Sequence, residues 1–456
     1  MRSTADGGSS YRVSGRYSWY VFSLLFLLYM FDWIDRLVVV SLFPFLKRDW
    51  GISDTECGML VSAVYWSILL FSFPASLLVD RWSRRKAIGL MALLWSLATA
   101  ACAFTRSFGQ LFAARTAIGI GEAGYAPGGT AMISALFPRK RRAAVMGLWN
   151  ASIPLGSALG IVIGGVVAEY LGWRHAFGLV AFPGMIVALL FFRVRDYRTV
   201  SLRTETPGAE AAPVKPEPGA AREAVAAGEG SKAEPGFRGT ARRLLGTPSL
   251  LLTYLGFSGN MFLTSALMTW LPTAYHRHDG LPMSQASLKG GAVMAMAIVG
   301  APLGGWLADR WYSRRADARL LFAALSSLAA GLVLLVALGA LDGPAQYGLL
   351  LAGGALASAF VPGAAAATQD VVHPGLRATA YSLCVIVMHV LGSALGPVFV
   401  GAASDRYSLQ TGLTLVPFSA LLAAVCFFAA SRFYARDLAR VEQVELVSEE
   451  AQAGQG

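Results

Sequence analysis

Leu77-Leu78-Val79-Asp80-Arg81-Trp82-Ser83-Arg84-Arg85 and Trp306-Leu307-Ala308-Asp309-Arg310-Trp311-Tyr312-Ser313-Arg314-Arg315 are two versions of one segment, and each joins one long apolar run to the next. A soluble chain has little reason to end two oily helices with the same acid–base cluster. A membrane protein built from two similar halves does, because the cluster then marks equivalent short loops on one side of the bilayer. The halves agree elsewhere too. Gly156-Ser157-Ala158-Leu159-Gly160 returns as Gly392-Ser393-Ala394-Leu395-Gly396, and Pro127-Gly128 has its counterpart in Pro362-Gly363. Glycines four apart let helices approach closely, and intramembrane proline loosens the backbone ladder. Together these repeats point to two bundles rocking about a shared cleft, the design of a solute carrier.

Composition agrees. Of 456 residues, 55% are hydrophobic and only 14% charged, with a mean hydropathy of +0.54; ordinary globular domains carry about 25% charged residues. Many apolar runs exceed the roughly 20 residues a spanning helix needs. Inside hydrocarbon each backbone donor and acceptor must be paired within its own segment, so these runs are expected to be helices. The ten-residue alternation of a membrane β-barrel is absent. The chain is therefore expected to be an all-α membrane protein of twelve spans in two pseudo-symmetric six-helix bundles: 18–46, 55–80, 86–105, 108–137, 141–171 and 173–193, then 248–276, 284–309, 318–341, 345–370, 376–406 and 410–435. The domain plan is a first bundle over 1–195, a flexible cytoplasmic linker rich in Pro, Ala, Gly and Glu over 196–246, a second bundle over 247–436 and a polar, acidic tail over 437–456.

The net charge of +11 is distributed by side rather than by patch. Basic residues gather near 81–86, 139–142, 193–203, 310–319 and 432–440, in every second connection, whereas the intervening connections hold few, such as Arg106, Arg174 and Arg277. This bias places both termini and the central linker in the cytoplasm. It argues against a nucleic-acid partner. Arg2, Arg12 and Arg16 precede an apolar run that resembles a signal peptide, but no small-residue cleavage site follows, so the run is expected to remain as the first span. Cys57, Cys102, Cys384 and Cys426 show no metal or redox spacing and read as buried small hydrophobes.

Charges inside spans cost some ~2.5–3.5 kcal/mol each on insertion scales, so they are candidates for function. The first half has a compact set: Asp32, Asp35 and Arg36 in span one, Arg115 and Glu122 in span four. The two spans run in opposite directions, so Asp32 and Glu122 both fall near the bilayer middle, with Asp35 and Arg36 about 5 Å and Arg115 about 10 Å nearer the outside at ~1.5 Å per residue. Three acids and two arginines leave one excess negative charge. Arginine does not deprotonate in practice, so a titrating site must be an acid, and Glu122 and Asp35 are the proton-site candidates. The alternative use of the same groups is a fixed ion-pair lattice joining spans one and four. Arg36 and Arg115 suit an anionic headgroup or a gate. The second half has Ala357 where Glu122 stands, and offers Asn260, Thr264, Tyr254 and His389 instead. Asp80 with Arg81, Arg84 and Arg85, and Asp309 with Arg310 and Arg314, are candidates for a cytoplasmic gate that latches the halves. No phosphate loop, nucleophile elbow or metal-ligand cluster appears, so neither an enzyme, a cofactor nor a metal is expected.

These residues resemble the major facilitator superfamily over nearly the whole chain. Its loop signature is similar to Gly305-Trp306-Leu307-Ala308-Asp309-Arg310, and its span-four signature to Arg115 through Gly119-Ile120-Gly121-Glu122-Ala123; the first loop copy departs with Ser76 in place of glycine. Within it, Trp33-Ile34-Asp35-Arg36, Glu122-Ala123-Gly124-Tyr125, Leu136-Phe137-Pro138, Gly172-Trp173-Arg174-His175-Ala176-Phe177 and Ser404-Asp405-Arg406 resemble the Spinster-like branch, particularly its bacterial members. The resemblance implies alternating access, proton coupling, residence in a bacterial cytoplasmic membrane and a central polar set of Asp35, Arg36, Arg115 and Glu122, with Asp32 and Tyr125 beside it. The expected partners are a small amphipathic or anionic organic solute, protons and the lipid bilayer, with the protein acting as a monomer. The neighbouring organic anion:cation symporters, importing a carboxylate, are the alternative. A reading of another class is a non-transporting sensor or scaffold on a transporter fold.

Overall fold

The computed structural model describes residues 14–195, 244 and 246–441, apart from 82, 138, 374 and 375. The predicted tail from 442 onward and nearly all of the predicted linker lie outside these residues, and residues 437–439 of the predicted tail are helical. The first half contains α1 (Gly15–Leu37), α2 (Phe43–Trp50), α3 (Asp54–Arg81), α4 (Arg84–Cys102), α5 (Phe108–Glu122), α6 (Tyr125–Leu136), α7 (Arg139–Asn150), α8 (Ser152–Leu171) and α9 (Trp173–Phe191). The second contains α10 (Pro248–His278), α11 (Met283–Ala295), α12 (Ala297–Tyr312), α13 (Ala318–Ala340), α14 (Gly343–Ala359), α15 (Val361–Asp370), α16 (Arg377–Met388), α17 (Leu395–Arg406), α18 (Leu409–Leu415) and α19 (Pro417–Ala439). Helices fill most of the described residues of the predicted spans, and ten helices there are long and apolar enough to cross a membrane.

Several spans are two helices end to end, and the breaks follow the prolines. Proline cannot donate to the carbonyl four residues earlier, so the ladder opens just upstream of it. α5 gives way to α6 before Pro127, α14 to α15 before Pro362, and α18 to α19 before Pro417. In span eleven, a π turn over His389–Ser393 separates α16 from α17, four residues ahead of Pro397.

The glycine repeat has a common physical role in both halves. A Cβ on Gly156, Gly160 or Gly164 would lie 2.4, 2.7 or 2.5 Å from the carbonyl oxygens of Met30, Ile34 and Val38 respectively. A Cβ on Gly392 or Gly396 would lie 2.6 Å from those of Ser258 and Phe262. Span five thus presses its backbone onto span one, and span eleven does the same to span seven, at a distance no side chain permits. In span four, a Cβ at Gly119 would come within 2.5 Å of the Val64 carbonyl oxygen and one at Gly121 within 2.8 Å of the Trp95 nitrogen. These close approaches seat span four against spans two and three, from where the Arg115 and Glu122 side chains reach span one.

Candidate functional site

Arg36 is the hub of the charged set. Its Nη2 lies 2.9 Å from Asp32 Oδ2, one helical turn back, and its Nε lies 2.8 Å from Glu122 Oε2 on α5. The second contact is an ion pair off the N–H axis, since neither Glu122 oxygen accepts an aligned hydrogen bond. Trp33 supports the guanidinium from the side, with its ring centroid 4.7 Å from Arg36 Cζ. Asp32 and Glu122 are buried, so one arginine serves two enclosed carboxylates.

Asp35 has a different environment. It is fully enclosed, and neither of its carboxylate oxygens has a hydrogen-bond partner. Thr99 of α4 lies beside it, and its hydroxyl is also unpartnered. Leaving an ionised carboxylate buried without a partner is among the most costly arrangements in a protein.

Arg115 is wholly buried and spends its fork on the backbone. Nε donates to the Leu60 carbonyl at 3.0 Å, Nη1 to that of Asp35 at 2.8 Å and Nη2 to that of Arg36 at 2.8 Å. It stitches span four to spans one and two at the point where span one carries its charges. The sequence groups Arg115 with Arg36 as a binding or gating residue; the geometry separates them, with Arg36 facing carboxylates and Arg115 facing carbonyls.

The remaining candidates are placed as follows. Tyr125 donates its hydroxyl to the Leu25 carbonyl and packs among Tyr29, Trp95 and Trp149, with centroids at 5.6, 5.4 and 6.3 Å. Asn260 is enclosed and donates to Ser327 Oγ at 2.9 Å, tying span seven to span nine. His389 opens the π turn and stacks on Tyr65 of the first half, centroids 5.4 Å apart at 25°. Its Nδ1 is buried without a partner, within the field of Arg36. The structure therefore gathers Asp32, Asp35, Arg36, Arg115, Glu122 and His389 about one centre and leaves Asn260 to helix packing.

At the Asp309 end, Asp309 pairs with Arg319 at 2.9 Å, and Arg319 also holds Asp370 at 2.9 Å and lies 3.9 Å over Tyr312. All four belong to the second half. Arg310 and Arg314 are exposed, and Arg85 donates to the Val194 carbonyl at 3.1 Å. The side chains of Asp80, Arg81 and Arg84 lie outside those described. Among the described side chains at this end, the bonds of Asp309 and Arg85 run within their own halves.

The halves are bolted together at the opposite end. Asp54 begins α3 and receives both Arg277 nitrogens at 2.7 and 2.6 Å, Lys47 at 2.5 Å and the Ser404 hydroxyl at 2.5 Å. Asp405 of α17 accepts the backbone N–H groups of Asp54 and Thr55, each at 2.8 Å, and the Thr55 hydroxyl at 2.6 Å. A carboxylate from the second half therefore caps a helix of the first, satisfying free amides and favoured by the helix dipole. Ser53 and Glu56 complete a reciprocal capping box at the same terminus. Nearby, Ser62 donates to the Ala394 carbonyl at 2.6 Å and Ser284 N–H donates to Glu169 at 2.6 Å. The Ser53-x-x-Glu56 spacing was a visible helix-start signal; that Asp405 and Arg277 would meet it depends on tertiary register.

The Major Facilitator Superfamily model matches residues 25–397 and 280–450. The chain is 26% identical to Protein spinster homolog 3 of Danio rerio over 456 residues, covering 93% of this chain and 87% of that protein. It is 28% identical to the Gallate transporter of Pseudomonas putida over 441 residues, covering 95% and 94%. Its fold matches the crystal structure of a bacterial homolog to the human lysosomal transporter Spinster, in an inward-facing and unoccupied conformation, with a TM-score of 0.77 at 21% identity, over 93% of this chain and 99% of that one. A duplicated helical bundle with ionised side chains at its centre is thus a membrane transporter of small solutes, and the chain belongs to the Major Facilitator Superfamily.

Proposed function

We propose that the protein is a proton-coupled secondary transporter of a small organic anion in the bacterial cytoplasmic membrane, standing here with its halves joined at the Asp54 end. The observation that carries this reading is the sharing of Arg36 between Asp32 and Glu122 while Asp35, beside Thr99, has no ion pair and accepts no aligned hydrogen bond. A proton on Glu122 releases its hold on Arg36 and leaves the guanidinium free to bind a carboxylate. A proton on Asp35 removes the cost of its isolation. Solute and protons then favour the same state, which is the requirement for coupling. The name of the gallate relative supports an anion as cargo, and the basic loops support a cytoplasmic Asp309 end. The bonds between Asp54, Arg277 and Asp405 then close the outer side.

Charge sets the stoichiometry. Asp32, Asp35 and Glu122 with Arg36 and Arg115 sum to one negative charge, and a monovalent anion adds a second. Two protons restore neutrality in a medium that disfavours net charge. Each cycle then carries net positive charge inward. Uptake into proteoliposomes is expected to rise with an inside-negative potassium diffusion potential imposed at zero pH difference. Uptake of carboxylates indifferent to both pH gradient and potential removes the proposal.

The outer closure has its own test. Loss of a helix cap costs about 1 kcal/mol, roughly a fivefold change in a two-state population. Asp405→Ala is expected to raise the outward-open fraction by that factor, read as a longer spin-label distance across the Asp54 end. An unchanged distance distribution removes Asp405 from the closure.

A further inference from the structure

We propose that the cleft selects a carboxylate borne on a flat aromatic ring, with Arg36 gripping the anion and Trp33, Tyr65 and His389 supplying ring faces and N–H groups. This rests on the proton-coupled anion reading above and narrows its substrate class. Three observations carry it. First, the guanidinium of Arg36 is bordered by aromatic rings: Trp33 at 4.7 Å, with Tyr65 and Tyr29 within its field. Second, Tyr65 and His389 form a stacked pair contributed by opposite halves, 5.4 Å apart at 25°. A planar ring joining such a stack spans the two bundles without opening a gap. Third, Trp33 Nε1 and His389 Nδ1 are buried polar atoms with no partner, the condition in which a bound polar group gains most.

The second half argues against a sugar acid as cargo. Ala357 stands where the first half has Glu122, and the Asn260 amide nitrogen donates to Gly256 and Ser327, leaving its Oδ1 as the side-chain atom without a partner. A sugar acid would bury hydroxyls with few partners there, and sites discriminate strongly against polar groups left unpaired. The π turn at His389–Ser393 strengthens the assignment, because such local widening displaces one side chain from the regular helical track and recurs at functional sites.

The test uses the full chain in proteoliposomes with three probes: benzoate, cyclohexanecarboxylate and glucuronate. Benzoate and cyclohexanecarboxylate share the carboxylate and ring size, and only benzoate is flat. Proton-driven uptake of benzoate is expected to exceed that of cyclohexanecarboxylate by about tenfold, the sum of two aromatic contacts, with glucuronate lower still. Trp33→Leu and Tyr65→Leu, each checked for a monodisperse profile and an unaltered melting temperature, are expected to bring the benzoate preference towards parity. Equal or better uptake of cyclohexanecarboxylate or glucuronate, still driven by protons, overturns the aromatic assignment and leaves the anion reading standing. No proton-driven uptake of any of the three overturns both. A benzoate preference that both variants retain overturns the placement of the ring at Trp33 and Tyr65.

Discussion

Glu122→Gln is expected to leave a folded protein that no longer accumulates solute against its gradient. Glutamine keeps the size of the side chain and can still meet Arg36 at the position where Glu122 Oε2 now lies 2.8 Å from Nε. It cannot gain or lose a proton. Solute can then bind Arg36 whether or not a proton arrives, so the proton still taken up at Asp35 is no longer tied to solute binding, and a gradient that is not linked to binding does no work. Proton-driven accumulation should fall to a concentration ratio of about 1, while solute exchange between two labelled pools persists. Asp32 remains paired with Arg36 at 2.9 Å, so the buried guanidinium keeps a counter-ion. Accumulation that continues at the wild-type level would remove Glu122 from the coupling step.

Replacement of the second arginine should act on the fold rather than on transport. Arg115→Leu deletes three donors from enclosed carbonyls on Leu60, Asp35 and Arg36. Hydrogen bonds from a charged group contribute about 1.5–3 kcal/mol each, and losses within one fork are not additive, so a destabilisation on the order of 4 kcal/mol is expected. Arg115→Lys should be nearly as damaging, because an ammonium cannot reproduce a planar fork that meets three carbonyls at once. Arg36→Lys provides the contrast: a point charge can still pair with Asp32 or Glu122, so the melting temperature should hold while transport fails. A stable Arg115→Leu protein would show that the carbonyls find other partners and that Arg115 is no bracket.

That contrast marks where the sequence stopped being informative. Both arginines were conspicuous for the same reason: charge within an apolar run is expensive wherever it points. The twelve runs, the repeat and the proline breaks were likewise readable, since each depends on residues close together in the chain. Whether an arginine faces carboxylates or carbonyls depends on which helix lies opposite, and that depends on contacts such as Gly119 against Val64. Asn260 was selected as a polar residue in oil, but its partner Ser327 lies 67 positions away. Asp54 and Asp405 drew little attention because carboxylates at helix ends are common, and only their 351-residue separation makes their meeting consequential. His389 was noticed, whereas the π turn that presents it leaves no mark in composition.

The surfaces along which the two bundles part are thin in side-chain bulk. A Cβ on Gly58 would meet the Pro397 carbonyl oxygen at 2.5 Å, and one on Gly401 the Asp54 carbonyl oxygen at 2.4 Å; Gly165 faces Ser287. Separating backbone from backbone uncovers little hydrocarbon to incoming water, and hydrocarbon carries a penalty of about 25 cal/mol for every Å² exposed. The seam is therefore inexpensive to unzip once its few ionic rivets at Asp54 and Asp405 are undone.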